Sequence, residues 1–207
     1  MDELYKDFCD PTDEFKTEPR YFCYELATEL INTAKQANSK DWYQDENTIK
    51  GILLLLFTWN FAARKTKELN FDKVRQVLKK CKRELKELES YDIKNIDSDI
   101  EEKIKSVFKS FKDLMGQTGA SKALSLLNPK LFVMWDTKIR RYLKRNYPKY
   151  FKGIGNGEKA ENYLIFLFGI KNIIQDYSKE IKGKLSGDAI VAKKIDEYHY
   201  VKIIMNK

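Results

Sequence analysis

Apolar residues recur along most of this chain at spacings of three and four, the repeat of a helix that buries one face. Phe71, Val74, Leu78, Cys81, Leu85 and Leu88 form one such stripe and predict a helix over about 71–89. Ile100, Ile104, Val107, Phe108 and Phe111 predict another over about 98–112. Phe22, Leu26, Leu30 and Ala34 mark an earlier helix. Residues 47–68 read as a longer one whose middle, ILLLLFTWNFAA, is apolar all round and therefore expected in the interior. No stretch alternates with the period of two that a half-buried strand needs. Only VKIIM near the end has the character of a short strand, and a frayed tail is the simpler reading. Segments 38–47, 90–97, 113–120, 128–135 and 147–157 read as connections. The pattern predicts an all-α fold, a single helical domain over 1–207.

Composition narrows the class of partner. A chain of 207 residues with 43% hydrophobic and 34% charged content can fill a core, which excludes a disordered polymer. The net charge of +8 favours a polyanion, either nucleic acid or an anionic membrane surface. The longest apolar run, 52–57, is far short of the roughly 20 residues that cross a bilayer. The opening MDELYKDFCD is unlike a signal peptide. These features lead us to expect a soluble, cytoplasmic protein. Cys9, Cys23 and Cys81 are widely separated, and no CxxC pair or cysteine–histidine cluster exists. Neither a zinc nor an iron–sulfur site is therefore encoded, and no cofactor is expected. His199 is the only histidine, without the pattern of a catalytic dyad or triad.

The densest chemistry lies in 116–145, GQTGASKALSLLNPKLFVMWDTKIRRYLKR. Gly116 and Gly119 permit a turn between helices and expose backbone N–H groups where a phosphate can be held; a plain connection is the simpler reading. Lys122 follows among Ala120, Ala123, Leu124 and Leu127. Apolar neighbours and the positive end of a helix lower a lysine pKa, and a neutral amine attacks electrophilic carbon to form a Schiff base. Fourteen residues on, Asp136 opens a new helix. It suits an N-cap, and a carboxylate fixed there can also stabilise positive charge on a nearby sugar. From Lys138 to Lys152 the chain carries Lys138, Arg140, Arg141, Lys144, Arg145, Lys149 and Lys152 with no acid, interleaved with Tyr142, Tyr147, Tyr150 and Phe151. A run of one sign repels itself unless a partner such as phosphate neutralises it.

These residues resemble the catalytic core of the helix-hairpin-helix DNA glycosylases, the superfamily of endonuclease III and the 8-oxoguanine DNA glycosylase/lyases. The likeness rests on G-x-x-G-A-S-K-A followed by W-D-T-K-I-R-R-Y-L-K-R. It implies two helical lobes around a cleft and a helix-hairpin-helix core over about 98–146, with Lys122 as Schiff-base nucleophile and Asp136 as the essential carboxylate. Upstream, Thr58, Trp59, Asn60 and Phe61 match the end of the buried helix in some oxoguanine enzymes. By that match Asn60 fills the hole left in the duplex by an extruded nucleotide. Gly116, Gly119, Lys138, Arg140, Arg141, Lys144 and Arg145 then contact double-stranded DNA. Trp42, Trp59 and Trp135 are each able to stack on an extruded base, with Trp59 and Trp135 assigned to the base pocket, and buried aromatics are more often core. The implied activity is excision of a damaged base, an oxidised purine, by a monomeric nucleoid-associated enzyme with AP-lyase activity. The chain departs from the pattern in three places. Its hairpin is one residue longer, its lysine-to-aspartate spacing is shorter than the usual eighteen or so, and Lys138 stands where the family has histidine.

A rival hairpin runs from Gly153 to Lys159, with Asp176 seventeen residues past the lysine. It lacks a following basic helix, and Glu158 and Glu161 favour the charged lysine. Asp196-Glu197-Tyr198 reads only as a helix end or a docking segment. The competing functional classes are a non-catalytic helical nucleic-acid-binding protein of the same fold and a module whose basic helix meets an acidic protein.

Overall fold

The computed structural model describes residue 5 and residues 8–38, 40–60, 69–155, 157, 159–185 and 189–206. The described residues form helices and connections without a strand. In chain order they are α1 (Thr12–Lys16), α2 (Tyr21–Ala37), α3 (Glu46–Trp59), α4 (Phe71–Leu88), α5 (Ser98–Leu127), α6 (Thr137–Asn146), α7 (Pro148–Phe151), α8 (Ala160–Asp176), α9 (Ser178–Lys184) and α10 (Val191–His199). A π-helical turn, Tyr200–Met205, continues α10, so VKIIM is helical rather than extended.

Local chemistry sets several helix starts. Asp45, Asn70, Asp97 and Asp136 each accept a backbone N–H from the first turn of α3, α4, α5 and α6. α4 buries the stripe Val74, Leu78, Cys81, Leu85 and Leu88, as its spacing predicts. α2 departs from expectation. It buries Tyr24, Ala27, Ile31 and Ala34, leaving Phe22 67% exposed and Leu26 at the surface. Two faces of that helix carry apolar residues, and α2 packs on α3 through the one with small Ala27 and Ala34, where the backbones can come close. α3 ends at Trp59, and the remainder of the expected 47–68 helix, Phe61 included, lies outside the described residues.

The connection expected at 113–120 is a single-residue break. Gly116 alone leaves helical geometry, at φ 71° and ψ 171°, and the helix resumes at once. That backbone region is open to glycine and almost nothing else. Gly119 therefore lies inside α5 and is buried. The turn of the resemblance is thus confined to Gly116, with a helical segment on either side and Gln117 and Thr118 at helical angles.

The buried side chains make one continuous core. α4 and α8 pack on α5, and α6 packs on the C-terminal π-helical turn. A stack of rings runs through the middle, with Phe108 and Tyr163 centroids 4.1 Å apart and Trp135 5.4 Å from both Tyr163 and Phe166. It clamps the 128–136 connection between α5 and α8. α10 packs on α1, so both ends of the described chain close over the start of α6.

Candidate active site

Lys122 projects from the C-terminal half of α5 into a dry setting, only 7% exposed. Its Nζ donates to the carbonyl oxygen of Trp59, at the C-terminal end of α3. Burial pulls its pKa from 10.5 down to about 8, helped by Arg20 and opposed by the carboxylates of Asp136 and Asp196. An amine in that range is partly neutral near physiological pH and able to act as a nucleophile.

Asp136 reaches the same place through a specific tie. The Ser121 hydroxyl accepts the Trp135 N–H at 2.8 Å and donates to the Thr118 carbonyl at 3.0 Å. That bond holds the start of α6 against the turn of α5 that carries Lys122. The Asp136 side chain accepts the Lys138 N–H at 2.7 Å, the N-cap expected of it. It shares a cavity with Lys122, walled by Phe15, Trp59, Met134, Ile139, Asp196, Glu197 and Tyr200. The space open to the centre of a water molecule is about 20 Å³, room for about one water.

The other expected residues divide. Trp59 is a cavity wall, its indole N–H on the Arg20 carbonyl at 2.9 Å and the Arg20 guanidinium 5.1 Å from its ring. Trp135, by contrast, is fully buried in the ring stack and does not line the cavity. Its ring packs among Phe108, Tyr163 and Phe166, with the Arg140 guanidinium 5.7 Å from its centre. Asn60 is buried rather than projecting. Its Nδ2 lies 3.0 Å from where a Cβ on Gly119 would stand, so Gly119 serves close packing and not an open phosphate cradle. Gly116 is exposed, with open space beside it.

On α6, Lys138, Arg141, Lys144 and Arg145 are exposed and Arg140 half-buried. None of the five makes an ion pair among the described residues. Arg140, Arg141 and Lys144 border a cleft of about 240 Å³ with Ile154, Gly155 and Gly157. Lys149, further along the run, is neutralised by Asp176 at 2.7 Å. The rival pair is excluded by length. Lys159 and Asp176 stand at opposite ends of α8, about 25 Å apart at the helical rise of 1.5 Å per residue.

Sequence reasoning missed Asp196. It is 5% exposed and lines the cavity beside Lys122. Burial raises its carboxyl to about 7 against the pull of Lys193 and Lys122. The one legible signal was four charges, Lys193, Lys194, Asp196 and Glu197, within an apolar and aromatic segment. His199, fully buried, shares a hydrogen bond with the Tyr5 hydroxyl at 2.5 Å and belongs to the core. Among the described residues no cluster of His, Cys, Asp and Glu could hold a metal ion, and no helix is long and apolar enough to cross a membrane. No family model, curated protein or solved structure matches this chain.

Proposed function

We propose that this protein is a DNA glycosylase with AP-lyase activity, of the helix-hairpin-helix, two-lobed kind, acting on double-stranded DNA. The observation that carries the reading is a buried, low-pKa Lys122 sharing one cavity with Asp136 at the foot of a basic helix whose cations make no ion pair among the described residues. Lys138, Arg140, Arg141, Lys144 and Arg145 take the backbone phosphates. The damaged nucleotide, an oxidised purine by the resemblance, leaves the stack. The Lys122 amine attacks C1′ while Asp136 stabilises the cationic sugar, and the resulting imine permits strand cleavage by β-elimination. A cavity with room for one water demands that Phe15 and Tyr200 draw back as the nucleotide enters, exposing the Trp59 face for stacking.

Borohydride reduction in the presence of DNA bearing lesions or abasic sites is the test. Wild type is expected to give a covalent complex and Lys122→Gln none. An adduct that survives in the variant rejects Lys122. The tightness of the cavity favours a second reading, a nucleic-acid-binding protein of this fold without catalysis. Salt-dependent binding with no adduct across a panel of lesions would establish it.

A further inference from the structure

The C-terminal helix brings a second acid to Lys122. On α10, Glu197 is fully engaged, with Lys193 3.5 Å from one oxygen and Lys194 3.1 Å from the other. Lys194 also meets Asp10 at 3.1 Å. Lys193 in turn lies 3.8 Å from the centre of the Tyr24 ring. Burial works against its charge, yet Tyr24, Glu197 and Asp196 hold the ammonium above its ordinary range. Asp196 makes none of these short pairs. Its carboxylate takes a backbone hydrogen bond at Met134 and faces the cavity. Two carboxylates thus line the cavity of the amine in different surroundings. Asp136 is tied to the α6 N-terminus, whereas Asp196 is set deep and makes no contact ion pair among the described residues. Differing environments for neighbouring acids divide their labour.

We propose that Asp196 is the proton shuttle of this cavity, taking a proton from the Lys122 nitrogen once that nitrogen has joined the sugar and returning it to the ring oxygen as the sugar opens. This rests on the glycosylase reading. The Nζ–C1′ bond forms as the bond from C1′ to the base breaks, and the electron pair leaves with the base, which collects a proton from water. The nitrogen is then positively charged with two protons, and Asp196 accepts one. The nitrogen lone pair next forms the C1′=N bond, the bond from C1′ to the ring oxygen breaks, and that oxygen takes the proton from Asp196. The carboxylate is regenerated and no other reactant is needed. Asp136, fixed at the start of α6, is the charge stabiliser.

The groups facing Asp196 are Lys122 from α5, Asp136 from the start of α6, Lys193 and Glu197 from its own helix, and Tyr163 from α8. Its charge therefore raises the affinity of Lys122 for a proton. Two measurements on Asp196→Asn separate a shuttle from a structural acid. One is the single-turnover rate of borohydride-trapped adduct on abasic-site DNA against pH. The other is the pH midpoint of reductive methylation of Lys122 by formaldehyde, read by mass spectrometry without DNA. Removing the anion should lower that midpoint, giving more free amine, while slowing adduct formation on the order of a hundredfold and flattening its acid limb. Asp196→Glu should recover part of the rate. A merely structural role cannot produce a more nucleophilic amine that reacts more slowly. An unchanged adduct rate or an unchanged methylation midpoint in Asp196→Asn overturns the shuttle alone. Absence of any adduct with wild type overturns the glycosylase reading and the shuttle with it.

Discussion

Replacing Lys122 with methionine removes a buried ammonium while nearly keeping the length and volume of the side chain. The held pKa of about 8 against an ordinary 10.5 means that the folded protein opposes the charged form. At 1.36 kcal/mol per pH unit that opposition is worth about 3 kcal/mol. Loss of the bond to the Trp59 carbonyl returns about 1 kcal/mol. Lys122→Met should therefore be more stable than wild type by about 2 kcal/mol at pH 7, a rise of roughly 4–8 °C in Tm for a chain of this size. The sign follows from proton binding. Between pH 8 and 10.5 the unfolded chain holds a proton that the folded chain has released, so wild-type stability from this group rises with pH. The advantage of the variant is full below pH 8 and gone by about pH 10.5, where the missing hydrogen bond leaves it slightly weaker. Urea unfolding of both proteins at pH 7 and pH 10 measures the difference, and other titrations cancel in it. A variant equally destabilised at both pH values would refute the depressed pKa, and with it the argument for a ready nucleophile.

Asp136→Asn should fold normally, since asparagine caps a helix as well as aspartate, and should bind lesion DNA while losing turnover; a drop in Tm together with lost binding would reduce Asp136 to a cap. Charge reversal at the exposed Arg141 and Arg145 should weaken DNA binding without altering Tm, and the slope of log affinity on log salt should shallow by about 0.9 for each phosphate no longer neutralised. An unchanged slope removes α6 from the interface. Gly119→Ala should destabilise by about 1–3 kcal/mol despite the helix propensity of alanine, because the new Cβ meets Asn60 Nδ2 at 3.0 Å and Met115 Cβ at 3.1 Å. A neutral or raised urea midpoint would show that Asn60 moves aside freely.

Much of the helical framework was legible along the chain. The α4 stripe, the Asp136 cap and the absence of strands among the described residues all follow from spacing and residue type, because a helix and its cap are built from neighbours within a few residues. The buried face of α2 was not legible, since either of two apolar faces could have met α3. The turn expected over 116–119 is confined to Gly116 for a related reason. Glycine permits an unusual backbone without requiring it: Gly116 takes one, and Gly119 stays helical beside Asn60. Trp135 and Asp136 are adjacent in the chain yet divide between the core and the cavity.

By itself the sequence determined that the protein is helical, that 138–145 is cationic, and that Lys122 and Asp136 carry the densest chemistry. Tertiary structure decided what those residues can do. Lys122 loses its water only because Trp59, Met134 and Tyr200 arrive from three other parts of the chain, and Asp196 joins it only because the C-terminal helix folds back over α6. Desolvation and charge proximity act through space, so residues distant along the chain set the chemistry of the amine.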